Sequence, residues 1–141
     1  WGHYAEKHHG IAIGFDVPDN SDAYHPVKYR RKRLPAPSDR ELTGADVDDL
    51  LLTKFTAWGY ESEYRCFCRL AESIHDGSHY FEPFTEELKP VEVIVGDRST
   101  ITRAELAGAL GDPYADVTSY KARPAFGSFQ VIRNKNDALW K

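Results

Sequence analysis

Ile11, Ile13, Phe15 and Val17 alternate with Ala12, Gly14 and Asp16, a period of two that predicts a strand over 10–17 with small residues on its second face. Pro18, Asp19, Asn20, Ser21 and Asp22 supply turn chemistry, and a second extended stretch is expected over 27–34, ended by Pro35 and Pro37. The period then changes. Thr43 with Asp46 has the form of a helix N-cap with an acidic first turn, and Val47, Leu50, Leu51, Phe55 and Trp58 recur at helical spacing, so a helix is predicted over 44–57 with Gly59 as its stop. Alternation returns over 60–70, where a strand is expected with Tyr64, Cys66, Cys68 and Leu70 on one face and Glu61, Glu63, Arg65, Phe67 and Arg69 on the other. Residues 75–87 are polar and irregular, broken by one short extended piece at 80–84. The β-branched run 91–95 reads as a buried strand ending at Gly96. Thr102 and Glu105 form a capping-box pattern for a helix that carries Leu106 and Leu110 inward and stops at Gly111. Two last strands, over 116–123 and 126–133, are expected to join through Pro124 and Ala125.

These elements predict an α+β or α/β fold, a single domain over 1–141 in which a twisted, mostly antiparallel sheet is packed by the 44–57 and 102–110 helices. Lys and Arg total 18 against 22 Asp and Glu, a net charge of -4 that speaks against a protein built to coat nucleic acid or an anionic membrane. Any phosphate binding must therefore be local. The sequence has neither a run approaching the roughly 18 apolar residues of a spanning helix nor a signal-peptide start, so a cytoplasmic protein is expected. Cys66 and Cys68 stand too close in sequence for an ordinary structural disulfide and are expected as buried, reduced thiols. With no Met and an abrupt opening on Trp1, the chain is expected to be the C-terminal part of a longer domain.

The charged face of the 60–70 strand holds the strongest chemical candidates. Cleavage of the nicotinamide bond of NAD creates a ribosyl cation, and a carboxylate that grips the ribose hydroxyls stabilises it. Glu63 is the first choice for that carboxylate and Glu61 the second, with Arg65 on the same face. The competing reading is a solvent-facing charge ladder paired across strands. Near the start, Trp1 and Tyr4 offer rings to stack on a nicotinamide or base and His3 an imidazole for a ribose or phosphate oxygen, against a reading of Trp1 and Tyr4 as core aromatics; His8 and His9 are expected at the surface.

Lys28, Arg30, Arg31, Lys32 and Arg33 around Tyr29 have the charge to grip a pyrophosphate or a nucleic-acid backbone, but strand alternation would split them over two faces and leave an edge guarded by charge. Lys54 is either a phosphate ligand or an ordinary surface lysine. Cys66, Cys68, His75 and His79 are zinc-ligand types, yet a Cys-x-Cys pair on a strand is an uncommon start for such a site, and no metal is expected. No nucleophile elbow, phosphate-binding glycine loop or His-Glu-x-x-His motif is present, which removes several common enzyme classes.

Several landmarks occur in one order: Trp1-x-His3-Tyr4 and His9-Gly10 before an apolar strand, Lys54-x-x-x-Trp58-x-Tyr60-Glu61-x-Glu63-Tyr64-Arg65, Val93-Ile94-Val95-Gly96, then Tyr120-Lys121-Ala122-Arg123-Pro124 with Phe129. This arrangement resembles the bacterial family catalogued as domain of unknown function 2971, over most of the chain, without that family's further N-terminal motifs. A Glu on a central strand, followed by the 91–95 strand and a small helix, also looks like the second half of an ADP-ribosyltransferase fold. The resemblance implies an NAD-using enzyme of a toxin or defence system, with Glu63 and Glu61 catalytic and His3, Tyr4 and Arg65 contacting the cofactor. The alternative is a non-catalytic module binding a ligand or nucleic acid. A small nucleotide is the expected partner in the first case, nucleic acid is the less favoured one, and no membrane is expected.

Overall fold

Val93 and Val95 make 89–95 the most deeply buried strand among the described residues, and the other elements are placed by what pairs with it or avoids it. The computed structural model describes residues 1–19, 21–35 and 40–141. In chain order these form β1 (Ile11–Asp16), β2 (His25–Pro26), β3 (Lys28–Arg30), α1 (Gly44–Leu51), β4 (Thr53–Phe55), β5 (Tyr64–Arg65), β6 (Ile74–Asp76), β7 (His79–Phe81), β8 (Lys89–Val95), α2 (Arg103–Leu110), β9 (Thr118–Pro124) and β10 (Val131–Arg133), with short 3-10 turns between. The fold is α+β with mostly antiparallel pairing. Two compact units divide the chain: Trp1–Pro18 with Phe84–Lys141, and Asp19–Pro83. No helix among the described residues is long and apolar enough to cross a membrane.

The first unit is a four-stranded sheet in the order β1-β8-β9-β10. β8 and β9 run parallel, which requires a crossover, and α2 lies in it with a Thr102–Glu105 capping box at its start and Gly111 at φ 64° at its end. Leu106 of that helix closes over Val93 and Val95, joined by Trp140, whose Nε1 donates to the Ile101 carbonyl at 2.9 Å. Burial of these four side chains is the apolar driving force of the unit. Register sets Ile11 opposite Val95 and Ile13 opposite Val93, so the isoleucines share the core face, but as residues of an edge strand they stay 39% and 40% exposed. β9 and β10 are joined by residues 125–130 rather than through Pro124 and Ala125, because Pro124 still pairs with Val131.

Gly96 follows β8 where the turn before β1 crosses it. Glu6, Lys7 and His8 have φ of 44°, 56° and 75°, a left-handed run that brings the His8 carbonyl against Gly96, where any Cβ would overlap it. The Gly10 carbonyl accepts from the Gly96 N–H at 3.0 Å in the same crossing.

The second unit departs further from expectation. α1 starts at the expected N-cap Thr43, which with Asp46 closes into a full capping box, and Arg40 bridges to Asp46 at 2.8 Å, but the helix ends at Leu51 and not near Ala57. Asp48 and Asp49 oppose the dipole at its C-terminal end, and the Lys28 N–H donates to the Leu52 carbonyl at 2.7 Å, drawing the next residues into β4 beside β3. No α1 residue is buried. The 60–70 strand is reduced to β5, since residues Thr56–Glu61 form a 3-10 turn closed by Ser62 at φ 49°, and the partner strand β2 ends in Pro26, which has no N–H. Cys66 and Cys68 therefore fall beyond any ladder and are exposed, not buried. The expected loop at 75–87 contains a hairpin, β6–β7, turning at Gly77 with φ 60°.

Trp140→Ala is expected to cost about 3–5 kcal/mol in urea unfolding, through the lost ring volume and the abandoned Ile101 carbonyl. Gly96→Ala should cost about 1–3 kcal/mol by displacing the His8 turn, and an unchanged midpoint would show that this crossing is not as close as described.

Candidate functional site

Parallel pairing of β3 with β4 sets Tyr29 beside Lys54. The 3-10 turn then reverses the chain, and the left-handed Ser62 lets residues on either side of it reach the same lysine. Lys54 Nζ donates to Glu61 Oε2 and, at 3.0 Å, to Glu63 Oε2, while lying 5.1 Å from the centre of the Trp58 ring. Glu63 Oε1 accepts from Arg65 Nε at 2.7 Å, and Arg65 Nη1 donates to the Leu51 carbonyl. The backbone of Glu63 is fixed as well: its N–H donates to Tyr29 Oη at 2.9 Å and its carbonyl accepts from the Val27 N–H at 2.9 Å.

Glu61, Glu63 and Arg65 do converge, but by a turn and not by strand alternation. Their side chains are only 12%, 27% and 29% exposed, which replaces the solvent-facing ladder with a half-buried network. The Arg65 hydrogen bond, and after it that of Lys54, holds the Glu63 carboxyl below the usual glutamate range, so it is ionised at neutral pH. The same pairing raises Arg65 above its usual value.

His3 and Tyr4 belong to the other unit, both exposed on the turn before β1, and the exposure of Tyr4 removes it from any core. Trp1 is half-buried and stacks on His8 with ring centres 5.7 Å apart, so His8 is half-buried and His9 is at the surface. His75 stacks on Tyr80 across the β6–β7 hairpin, and among the described residues no group of three or more His, Cys, Asp or Glu is placed to hold a metal ion.

The basic run is not divided by alternation, because β3 ends at Arg30 and the chain leaves the ladder there. Arg30, Arg31, Lys32 and Arg33 instead line one cleft of about 600 Å³, with Thr53 and Lys54 on its wall. Tyr29 and Thr53 were not singled out by their sequence pattern. Tyr29 had a signal in its position amid the cations, whereas nothing local distinguishes Thr53.

Comparison with protein-family models, with curated proteins and with solved structures finds no match to this chain.

Because Glu63 is ionised below the ordinary range, acid protonates it in the unfolded chain first. The stability it contributes is complete above about pH 4.5, the ordinary glutamate value, and is lost as pH falls through the lower folded value. Glu63→Gln should flatten that acid limb in urea midpoints measured from neutral to acid pH. Lys54→Met should raise the Glu63 carboxyl toward its ordinary range in a carbon-detected NMR titration; an unmoved titration would remove Lys54 from the network.

Proposed function

We propose that this chain is an NAD-using, ADP-ribosyltransferase-like enzyme, a member of the bacterial family of unknown function it resembles, acting in a toxin or defence system. The observation that carries the reading is the meeting of two half-buried carboxylates, Glu61 and Glu63, at the single amine of Lys54. An ionised, positioned carboxylate is what a developing ribosyl cation requires, and Arg65 keeps Glu63 in that state. In the reaction the C1′–N bond of NAD breaks, nicotinamide leaves with the bonding pair, and a nucleophile, water in the simplest case, adds to C1′ and releases its proton to solvent. Glu63 grips the ribose hydroxyls, Glu61 supplies further negative charge, and Arg65 of the same unit is the cofactor contact. Free, exposed Cys66 and Cys68 suit a cytoplasmic setting.

A second reading, a non-catalytic ligand-binding module, is favoured by the engagement of both Glu63 carboxylate oxygens, one by Arg65 and the other by Lys54. Nicotinamide release from NAD separates the two. The enzyme releases it, and Glu63→Gln lowers the rate by about 100-fold or more while the melting curve keeps its shape. A melting shift with NAD but no nicotinamide release supports the module, and neither shift nor release ends the NAD reading.

A further inference from the structure

We infer that the cleft beside β3 is a binding site for a pyrophosphate group, whether inorganic or carried by a nucleoside diphosphate, and that its occupant draws Lys54 away from Glu63. Four consecutive cations, Arg30 to Arg33, border the cleft, and Lys54 adds a fifth charge. No carboxylate is among the described residues that line it. Elsewhere in the same unit cations are matched: Lys28 with Asp49 at 2.8 Å, Arg40 with Asp46 at 2.8 Å, Arg65 with Glu63 at 2.7 Å. Among the described residues Arg30, Arg31, Lys32 and Arg33 have no such ion-pair partner. In a protein of net charge -4, four neighbouring cations that form no ion pair among the described residues concentrate positive potential in one place, where they repel one another until an anion enters.

A second observation points to the same occupant. Thr53 Oγ1, on the cleft wall, is buried and has no hydrogen-bond partner among the described residues, a costly state that a phosphate oxygen accepting its proton would relieve. Guanidinium groups suit phosphate because they bind two oxygens at once. The cleft also exceeds the needs of pyrophosphate alone: at about 600 Å³ it is of ordinary small-ligand size, and Leu34, Leu50 and Phe55 give it an apolar side for a base. Single-stranded nucleic acid fits less well, since it needs successive stacking rings along a charged track and Phe55 is the sole aromatic among the described lining residues.

Lys54 joins this cleft to the carboxylates. Its amine can serve a phosphate oxygen or Glu63 Oε2, so occupancy frees that oxygen while Arg65 retains the other. Resting on the NAD reading, this is the step that offers Glu63 to a ribose hydroxyl: the phosphate end of the cofactor opens the network that its ribose then enters.

Isothermal titration of the full chain with inorganic pyrophosphate and with ADP tests the site. Both should bind, ADP more tightly, with affinity falling as salt rises. Arg31→Ala combined with Arg33→Ala should weaken both by about tenfold or more without lowering the melting temperature, because these side chains are exposed, lie outside the ladder and repel their neighbours in the empty cleft. Saturating pyrophosphate should raise the Glu63 carboxyl titration in the parent protein and leave it unmoved in Lys54→Met. Absence of binding, equal affinity in the double variant, or an oligonucleotide whose affinity grows with length and which pyrophosphate cannot displace would each overturn the inference. Binding without nicotinamide release leaves this site standing and removes only the catalytic reading.

Discussion

Lys54 is the group around which the Asp19–Pro83 unit is organised, because that unit has almost no apolar interior. Val27 is its one buried hydrophobic residue among those described, and the space near it is taken by Tyr29, Lys54, Glu61, Glu63 and Arg65. Half-buried charges lose hydration, and they regain it only if each oxygen and each N–H finds a partner. Here that condition is met closely. Both oxygens of Glu63 are engaged, Lys54 meets two carboxylates and a ring face, and the backbone on both sides of Glu63 is tied to the neighbouring strand. A network this complete fixes geometry, and fixed geometry is also what a binding or catalytic site needs. The chemistry proposed above therefore falls to four of the side chains that also hold this unit together, Lys54, Glu61, Glu63 and Arg65.

The other unit solves the same problem with the hydrophobic effect. Val93, Val95, Leu106 and Trp140 exclude water between sheet and helix, and the indole N–H that enters this cluster is matched by the Ile101 carbonyl. Arg103 adds a guanidinium 4.6 Å from the Trp140 ring centre and a hydrogen bond to the Trp140 carbonyl at 3.0 Å, so the end of the chain is held by charge on one side and packing on the other. The contrast explains why acid should act first on the unit built around carboxylates, and why the loss of one ring should act on the other.

How much of this was legible depended on whether the signal was local. The capping box of α2, its stop at Gly111 and the valine run of β8 are each decided within a few residues, and each is found where its pattern places it. The end of α1 was hidden, because Phe55 and Trp58 continue the helical spacing while the competing force, pairing of Thr53–Phe55 with Lys28–Arg30, comes from residues far away in sequence. Alternation over 60–70 misled for a related reason: a strand needs a partner, and only Tyr64 and Arg65 have one. The pair Glu61 and Glu63 with Arg65 could be chosen from residue type alone, whereas the place of Lys54 between them follows from a parallel register and a left-handed residue that no spacing rule announces. The basic run was misjudged by extending β3 too far, since alternation separates side chains only while the strand lasts.

The first strand pairs with β8, and about seventy residues, including the whole of the second unit, are threaded between those two partners. During synthesis β1 leaves the ribosome with its hydrogen-bonding edge and its isoleucines waiting, while the intervening segment closes through nearer pairings of its own. The order of assembly is thus written into the topology: the inserted segment can mature first, and the sheet that flanks it in sequence is sealed only when the valine strand emerges.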